Sequence, residues 1–457
     1  MGLLHRPRQW RVALLVGCVA CALAARSIAE TLIVDSSGGT PYATIQSAID
    51  VAVPGVDDIF VRCGNYAENI EMRNAVPLLG EHPDCTVIDG GHTDIAVRML
   101  NVGADTVLEG FTVRNGSNPF GGTGVVGSGA PVITRNVIEN NGDSISDFSR
   151  GAITVFDGAG GHPVVSYNIV RGNTGYFGGG IYAFGETRIT GNLFVDNEGT
   201  WGGGIHLGLG PHRVDNNTIV SNMAVLGGGL GGGYVDAILT NNVISGNEAA
   251  SGADFYFSYG PNDVTFTSTL VYGNLPADTY PGTGPPGIGN LAVDPQFIAP
   301  AGDDPAAFQP RNTSPLIDAG ASSYPLTGDL AGIPRPLDGD ADGVPALDIG
   351  ARENEGVTGV VHDGVALRWD SDPGATGFNV YRGDVETLRQ SGVYTQDPST
   401  VPGAKEFCNV ASGLTDTDDP LPQECFFYLV TVVDQGEGTL GFDSALIERP
   451  RSRDCRP

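Results

Sequence analysis

Three near-copies of one phrase constrain what this chain can become. Tyr176-Phe-Gly-Gly-Gly-Ile181 recurs as Thr200-Trp-Gly-Gly-Gly-Ile205 and as Val225-Leu-Gly-Gly-Gly-Leu230, with glycine triplets that open at 178, 202 and 227. A second phrase travels with each: Asn192-Leu-Phe-Val-Asp-Asn197, Asn217-Thr-Ile-Val-Ser-Asn222 and Asn242-Val-Ile-Ser-Gly-Asn247. Two phrases locked at one period of 24 to 25 residues describe a solenoid, one coil per repeat. The asparagine phrase continues upstream at 168–173 and 136–141, and its last member at Asn115. Downstream, Gly252-Ala-Asp254 replaces the glycine triplet and the phrase ends at 269–274, about seven coils between residues 104 and 275.

The repeat has to be β. Its apolar residues lack helical spacing, and Gly and Asn are too frequent for helix interiors. Stacked coils pair with their neighbours about 4.8 Å away in parallel sheets, so equivalent positions form columns. Three apolar columns are expected inside: Ile153, Ile181, Ile205, Leu230 and Phe255; Ile133, Val165, Ile189, Val214 and Leu239; Ile138, Val170, Phe194, Ile219 and Ile244. Asn141, Asn173, Asn197, Asn222, Asn247 and Asn274 should form an amide ladder at a turn, where Asn also tolerates left-handed backbone.

Gly-Gly-Gly-Ile followed by Phe194-x-x-Asn197 is similar to the repeat of polymorphic outer-membrane proteins. The whole pattern, over roughly residues 31 to 280, resembles the right-handed parallel β-helices of the pectin lyase-like superfamily. That resemblance implies a fold and leaves the activity open, because the fold carries lyases, hydrolases, esterases, adhesins and spacers.

The flanks divide the chain. Residues 1–29 combine Arg6, Arg8 and Arg11 with an apolar run over 12–25 and the small-residue site Ser27-Ile-Ala29, which reads as a secretory signal peptide. Leu15-Val-Gly-Cys18 also resembles a lipobox. No later segment is apolar enough to span a bilayer, so a secreted or cell-surface protein without a transmembrane helix is expected. Losing residues 1–29 removes four arginines, leaving 53 acidic against 20 basic residues, an excess of 33 negative charges. That argues against nucleic acid as a partner. The β-helix is assigned to residues 30–280, opened by a strand at 31–34 and an amphipathic helix over 42–52 that caps the first coil, an opening that looks like that of pectin methylesterases. Residues 281–355 form a proline-rich closing segment similar to the tail of choice-of-anchor proteins, expected to wrap the last coil. Within it, Asp338, Asp340, Asp342 and Asp348 have the alternation of a Ca²⁺ loop, although the twelfth ligand position holds Ile349. Residues 356–450 resemble a fibronectin type III sandwich, and 451–457 are a short tail. Disulfides are expected between Cys408 and Cys425 and between Cys63 and Cys85, with Cys455 left over.

No catalytic residues are assigned. The β-helix has no lysine, and Asp157, Asp196, Asp215 and Asp236 fall in different columns. The reading is a non-catalytic protein that binds extracellular carbohydrate or serves adhesion, with a polysaccharide lyase or glycoside hydrolase of the pectin lyase-like superfamily as the alternative. Binding is expected along the column that follows the first interior row: Thr154, Tyr182, His206, Gly231 and Tyr256, which should face solvent. Phe184, two residues beyond Tyr182, and Trp201, beside its glycine corner, would extend a strip of rings suited to the faces of sugars.

Overall fold

The computed structural model describes residues 30–354, apart from 119–120, 143–148, 159–160, 259–261, 277–278, 280–283, 300–304, 312, 323–325, 338 and 340–344, and parts of 361–433. The expected signal peptide lies outside the described residues. So do Cys425 and Cys455.

The chain winds into a parallel β-solenoid of about ten turns, with sheets of eleven, nine and eight strands along it and a four-stranded sheet confined to the coils between Thr174 and Ser251. One coil shows the order: Ile169–Arg171 in the nine-stranded sheet, Thr174–Phe177 in the four-stranded, Ile181–Phe184 in the eight-stranded and Thr187–Thr190 in the eleven-stranded. The three apolar columns pair in register as expected. Ile153 faces Ile181, then Ile205, Leu230 and Phe255. Val165 aligns with Ile189 and Val214, and Val170 with Phe194 and Ile219. All belong to one continuous core. The earliest coils were not legible from the repeat because they keep the apolar register (Leu78 beside Leu108, Val97 beside Val125) without either phrase.

The capping helix is shorter than its apolar pattern, Ile45–Ile49, with Ile45, Ala48 and Ile49 buried. Glu68 explains where it starts: its carboxylate accepts from the free N–H groups of Ile45 (2.8 Å) and Gln46 (3.0 Å), a favourable charge for that helix end. Cys63 and Cys85 sit in adjacent coils and are bonded, with Cα atoms 4.8 Å apart.

The amide ladder is double. Asn197 Oδ1 accepts from both the backbone N–H (3.2 Å) and the side-chain amide (2.9 Å) of Asn173, while its own amide donates to the Val170 carbonyl (2.8 Å) and to Asn222 (2.9 Å). Asn136, Asn168, Asn192, Asn217 and Asn242 repeat the arrangement five residues earlier in each coil. In both ladders the left-handed residue is the one before the ladder asparagine, such as Asn216 (φ 54°) before Asn217 and Asp196 (φ 53°) before Asn197. The ladder position is therefore selected for its hydrogen bonds, and its neighbour for left-handed tolerance.

The closing segment departs from its expected course. A short strand, Gly287–Ile288, adds to the end of the eleven-stranded sheet. The chain then folds back along the outside of the nine-stranded sheet. Phe297, Phe308, Leu316 and Ile349 bury the outward side chains Leu193, Val220, Val243 and Leu270. Asn216 donates to the Asp348 carbonyl (3.2 Å), and the Ala351 N–H donates to Thr218 (3.0 Å). The segment flanks several coils because their outer face is apolar and cannot be left in water. Beyond residue 360, the described residues form two small antiparallel sheets. One contains Ala366–Arg368; the other centres on Gly377–Asp384, paired with Lys405–Val410 and Phe426–Val433. Cys408 is disulfide-bonded.

Candidate ligand-binding corner

The glycine triplets form the junction between the four- and eight-stranded sheets. The interstrand ladder does not break there: Gly202, Gly203 and Gly204 N–H donate to the carbonyls of Leu226 (2.9 Å), Gly227 (2.9 Å) and Gly228 (3.2 Å). Gly202 has φ +72°, and a Cβ on Gly203 would run into the Gly228 and Met223 carbonyl oxygens of the next coil. Glycine is thus required by backbone stacked on backbone. The final repeat tolerates Ala253 and Asp254 at these positions. There Asp254 accepts from the Thr279 hydroxyl (2.6 Å) and N–H (2.7 Å) instead.

Because the corner is tight, outward side chains from its two sides converge. Phe177, Trp201, Leu226 and Ser251 share one column. Tyr182, His206, Gly231 and Tyr256 share the other. Phe177 lies 5.1 Å from His206 and 6.0 Å from Tyr182 between ring centroids; Tyr182 stacks on His206 at 5.5 Å. Trp201 reaches Tyr256 (6.1 Å) at the level where Gly231 offers no side chain. Arg150 lies over Tyr182 (5.2 Å) and Phe156 (5.4 Å).

This convergence corrects the expectation of a solvent-facing column. Thr154 and Gly231 are buried, and His206 is only 7 % exposed, because the Phe177 and Tyr182 rings pack against it. His206 Nδ1 is 3.1 Å from the Trp201 carbonyl oxygen, which assigns the proton to Nδ1, and burial pulls its pKa down to about 4. It is a neutral structural imidazole. Tyr182, Trp201 and Tyr256 are half-buried and Phe184 is 38 % exposed, so the surface of the corner is a row of ring edges and faces. Burial also raises the Tyr182 phenol pKa, leaving it a neutral hydroxyl. Sequence reasoning missed Phe177 and Arg150. Phe177 was findable, since it occupies the repeat slot of Trp201; Arg150 stands next to a stretch, 143–148, that has no counterpart in the repeat.

The strongest acid–base signature lies elsewhere and is closed. Asp348, Glu353, Asp329 and Arg335 are buried inside the closing segment, with Arg352 partly exposed beside them. Arg335 Nε is 3.1 Å from Glu353, and Arg352 Nε 3.8 Å from Asp329. Three carboxylates face two guanidiniums, and burial with mutual repulsion raises Asp348 and moves Glu353 to about 7. The Asp348 oxygens accept from the N–H groups of Asp318 (2.9 Å) and Asn354 (2.6 Å). Asp338, Asp340 and Asp342, the other ligands expected of the Ca²⁺ loop, lie outside the described residues. No cluster of three metal-ligating side chains occurs among the described residues.

No protein-family description matches the sequence, and no curated protein does. Among solved structures, the chain is similar to pectate lyase Pel9A (13 % identity, TM-score 0.44, covering 72 % of this chain and 98 % of that one). It is also similar to XylC in complex with xylose (10 %, 0.33, 71 % and 98 %). A third is pectin methylesterase PemA from Erwinia chrysanthemi (13 %, 0.30, 70 % and 98 %). At these values the likeness carries nothing about activity. No described helix is long and apolar enough to cross a membrane.

Proposed function

We propose that this is a secreted or cell-surface β-helix protein that binds extracellular polysaccharide along its glycine corner without transforming it. One observation carries the reading: Tyr182, Trp201 and Tyr256 present partly exposed rings along the solenoid, Tyr182 held by contacts with Phe177 and His206, and Trp201 and Tyr256 by contact with each other. Pre-packed rings lose little freedom on binding, and their faces suit the apolar faces of pyranoses while the phenols offer hydroxyl partners. The most strongly shifted carboxyls are enclosed in the closing segment, which disfavours the lyase or hydrolase reading. The signal peptide, and Ca²⁺ held by Asp338, Asp340, Asp342 and Asp348, belong to the same proposal. Chelator should lower the melting temperature of the secreted protein, and an unchanged melting curve would remove Ca²⁺ from it.

The binding reading is tested on an array of neutral and acidic plant and microbial polysaccharides. Wild type should be retained on at least one neutral polymer. The triple variant Tyr182→Ala, Trp201→Ala, Tyr256→Ala should lose retention while keeping its β-sheet circular dichroism. Equal retention of both proteins, or product release from any polymer by the wild type, would overturn it.

A further inference from the structure

Where the eleven- and nine-stranded sheets meet, the closing segment fills a trough on the side of the solenoid, and Leu330 marks one end of the filling. Toward the N-terminal coils the trough stays open as a hollow of about 450 Å³. Gly80 and Gly110 make its floor. Their backbones approach so closely that a side chain on either would strike the other's carbonyl. Leu79, Val137, Ile169 and Leu330 give apolar walls; Glu109, Arg135 and Tyr167 supply the polar ones.

Two of these polar residues occupy a costly backbone position. From Gly110 onward the corner residue of each coil is left-handed, and besides the two polar ones it is Gly110, Gly191, Asn216, Asn241 or Ser268. Only at the hollow do long side chains take the place, Arg135 (φ 54°) and Tyr167 (φ 55°). Such conformations disfavour side chains other than Gly, Asn and Asp. Both side chains continue the column: the Arg135 guanidinium lies 5.1 Å from the centre of the Tyr167 ring, whose edge lies over Gly191. Arg135 Nε is 3.8 Å from the Glu109 carboxylate, and both of these side chains are more than a third exposed. A cluster of donor, acceptor and ring beside apolar walls is what a ligand pocket requires.

We propose that this hollow is a second carbohydrate site, taking a terminal neutral sugar residue of a glycan. Adjacent hydroxyls would bond to the Arg135 donors and the Glu109 oxygens, with the C–H face of the ring against Val137 and Ile169. A neutral sugar fits better than a uronate, because Glu81 and Glu109 both border the hollow and would repel a carboxylate. The site stands on a different side of the coil from the glycine corner and does not depend on binding there.

The test uses the full chain with Tyr182→Ala, Trp201→Ala and Tyr256→Ala already in place, which silences the corner. Saturation-transfer NMR with millimolar methyl glycosides of glucose, galactose, mannose and xylose should give signal for at least one, and a weaker signal for galacturonic acid. Adding Arg135→Asn and Tyr167→Asn should abolish it while the melting temperature holds or rises, since Asn suits the left-handed corner. Glu109→Gln, which leaves the corner backbone alone, should weaken binding about tenfold. Absence of signal from every glycoside, stronger signal from galacturonic acid, signal that survives both asparagine substitutions, or affinity unchanged by Glu109→Gln would overturn the proposal. A purely structural role gives the reverse pattern: a lower melting temperature with the sugar signal unchanged.

Discussion

The two sides of each coil solve the same turning problem in opposite ways. On one side the chain turns through a left-handed residue followed by a ladder asparagine whose amide is saturated by the coils above and below. On the other it turns through glycines whose main chain carries the ladder itself. The asparagine side ends up covered, since Leu193, Val243 and Leu270 project from it and the closing segment packs on them. The glycine side crowds its outward side chains together, and those side chains are rings. A corner held by amides spends its polar groups inside; a corner held by glycine leaves its chemistry on the outside.

The largest effect should come from breaking an amide rung. Asn197→Leu removes an acceptor used twice by Asn173, stranding its buried N–H groups, and a donor to the Val170 carbonyl and to Asn222 Oδ1, so chemical denaturation should show a loss of about 3–5 kcal/mol. The same change at Asn274, where the ladder ends, should cost less. A loss equal to or smaller than that at Asn274 would mean the ladder is not what holds this side. Next comes the glycine side. Gly203→Ala forces a methyl against two carbonyl oxygens and should cost about 2–3 kcal/mol. Gly246→Ala pays only for its left-handed backbone (φ +64°) with open space around it, about 1 kcal/mol. Equal costs would show that stacking of main chain on main chain is not the reason for glycine at the corner.

A smaller effect separates the covered side from the open one. The Glu353 carboxyl, at about 7 when folded, has an ordinary value of 4.5, so the folded protein holds an extra proton between these values. Its contribution is complete below about 4.5 and is lost as pH rises through about 7. Glu353→Gln should flatten that slope. Hydrogen exchange at Ala351 and Ile349 should accelerate between pH 5 and 8 in the wild type, while exchange at the glycine corner keeps only its ordinary pH dependence. A slope that survives Glu353→Gln would place the titrating proton elsewhere.

What was legible follows from periodicity. The interior columns and the ladder through Asn197 could be placed from sequence because a period of one coil puts identical side chains over each other. The second ladder was equally visible, as the first asparagine of the same phrase. The orientation of the site was not legible. Alternation along a strand says that His206 points away from the core, and it does; it cannot say that the Phe177 and Tyr182 rings pack against it and bury it. The course of the closing segment was hidden for a similar reason. Residues 281–355 carry no repeat, so their partner is decided by which outer face of the solenoid is apolar. That property is readable only once the outward rows, Leu193 to Leu270, are known.

The central claim is that the glycine corner binds along its length. Isothermal titration of the wild type should use neutral oligosaccharides of increasing length, cut from whichever polymer is retained. Tyr182 to Tyr256 spans three coil steps, about 14 Å. Affinity should climb with chain length until the ligand covers that distance and then level off, with Tyr256→Ala shortening the length at which it levels. Affinity independent of length, or a Tyr256→Ala titration identical to the wild type, would contradict it.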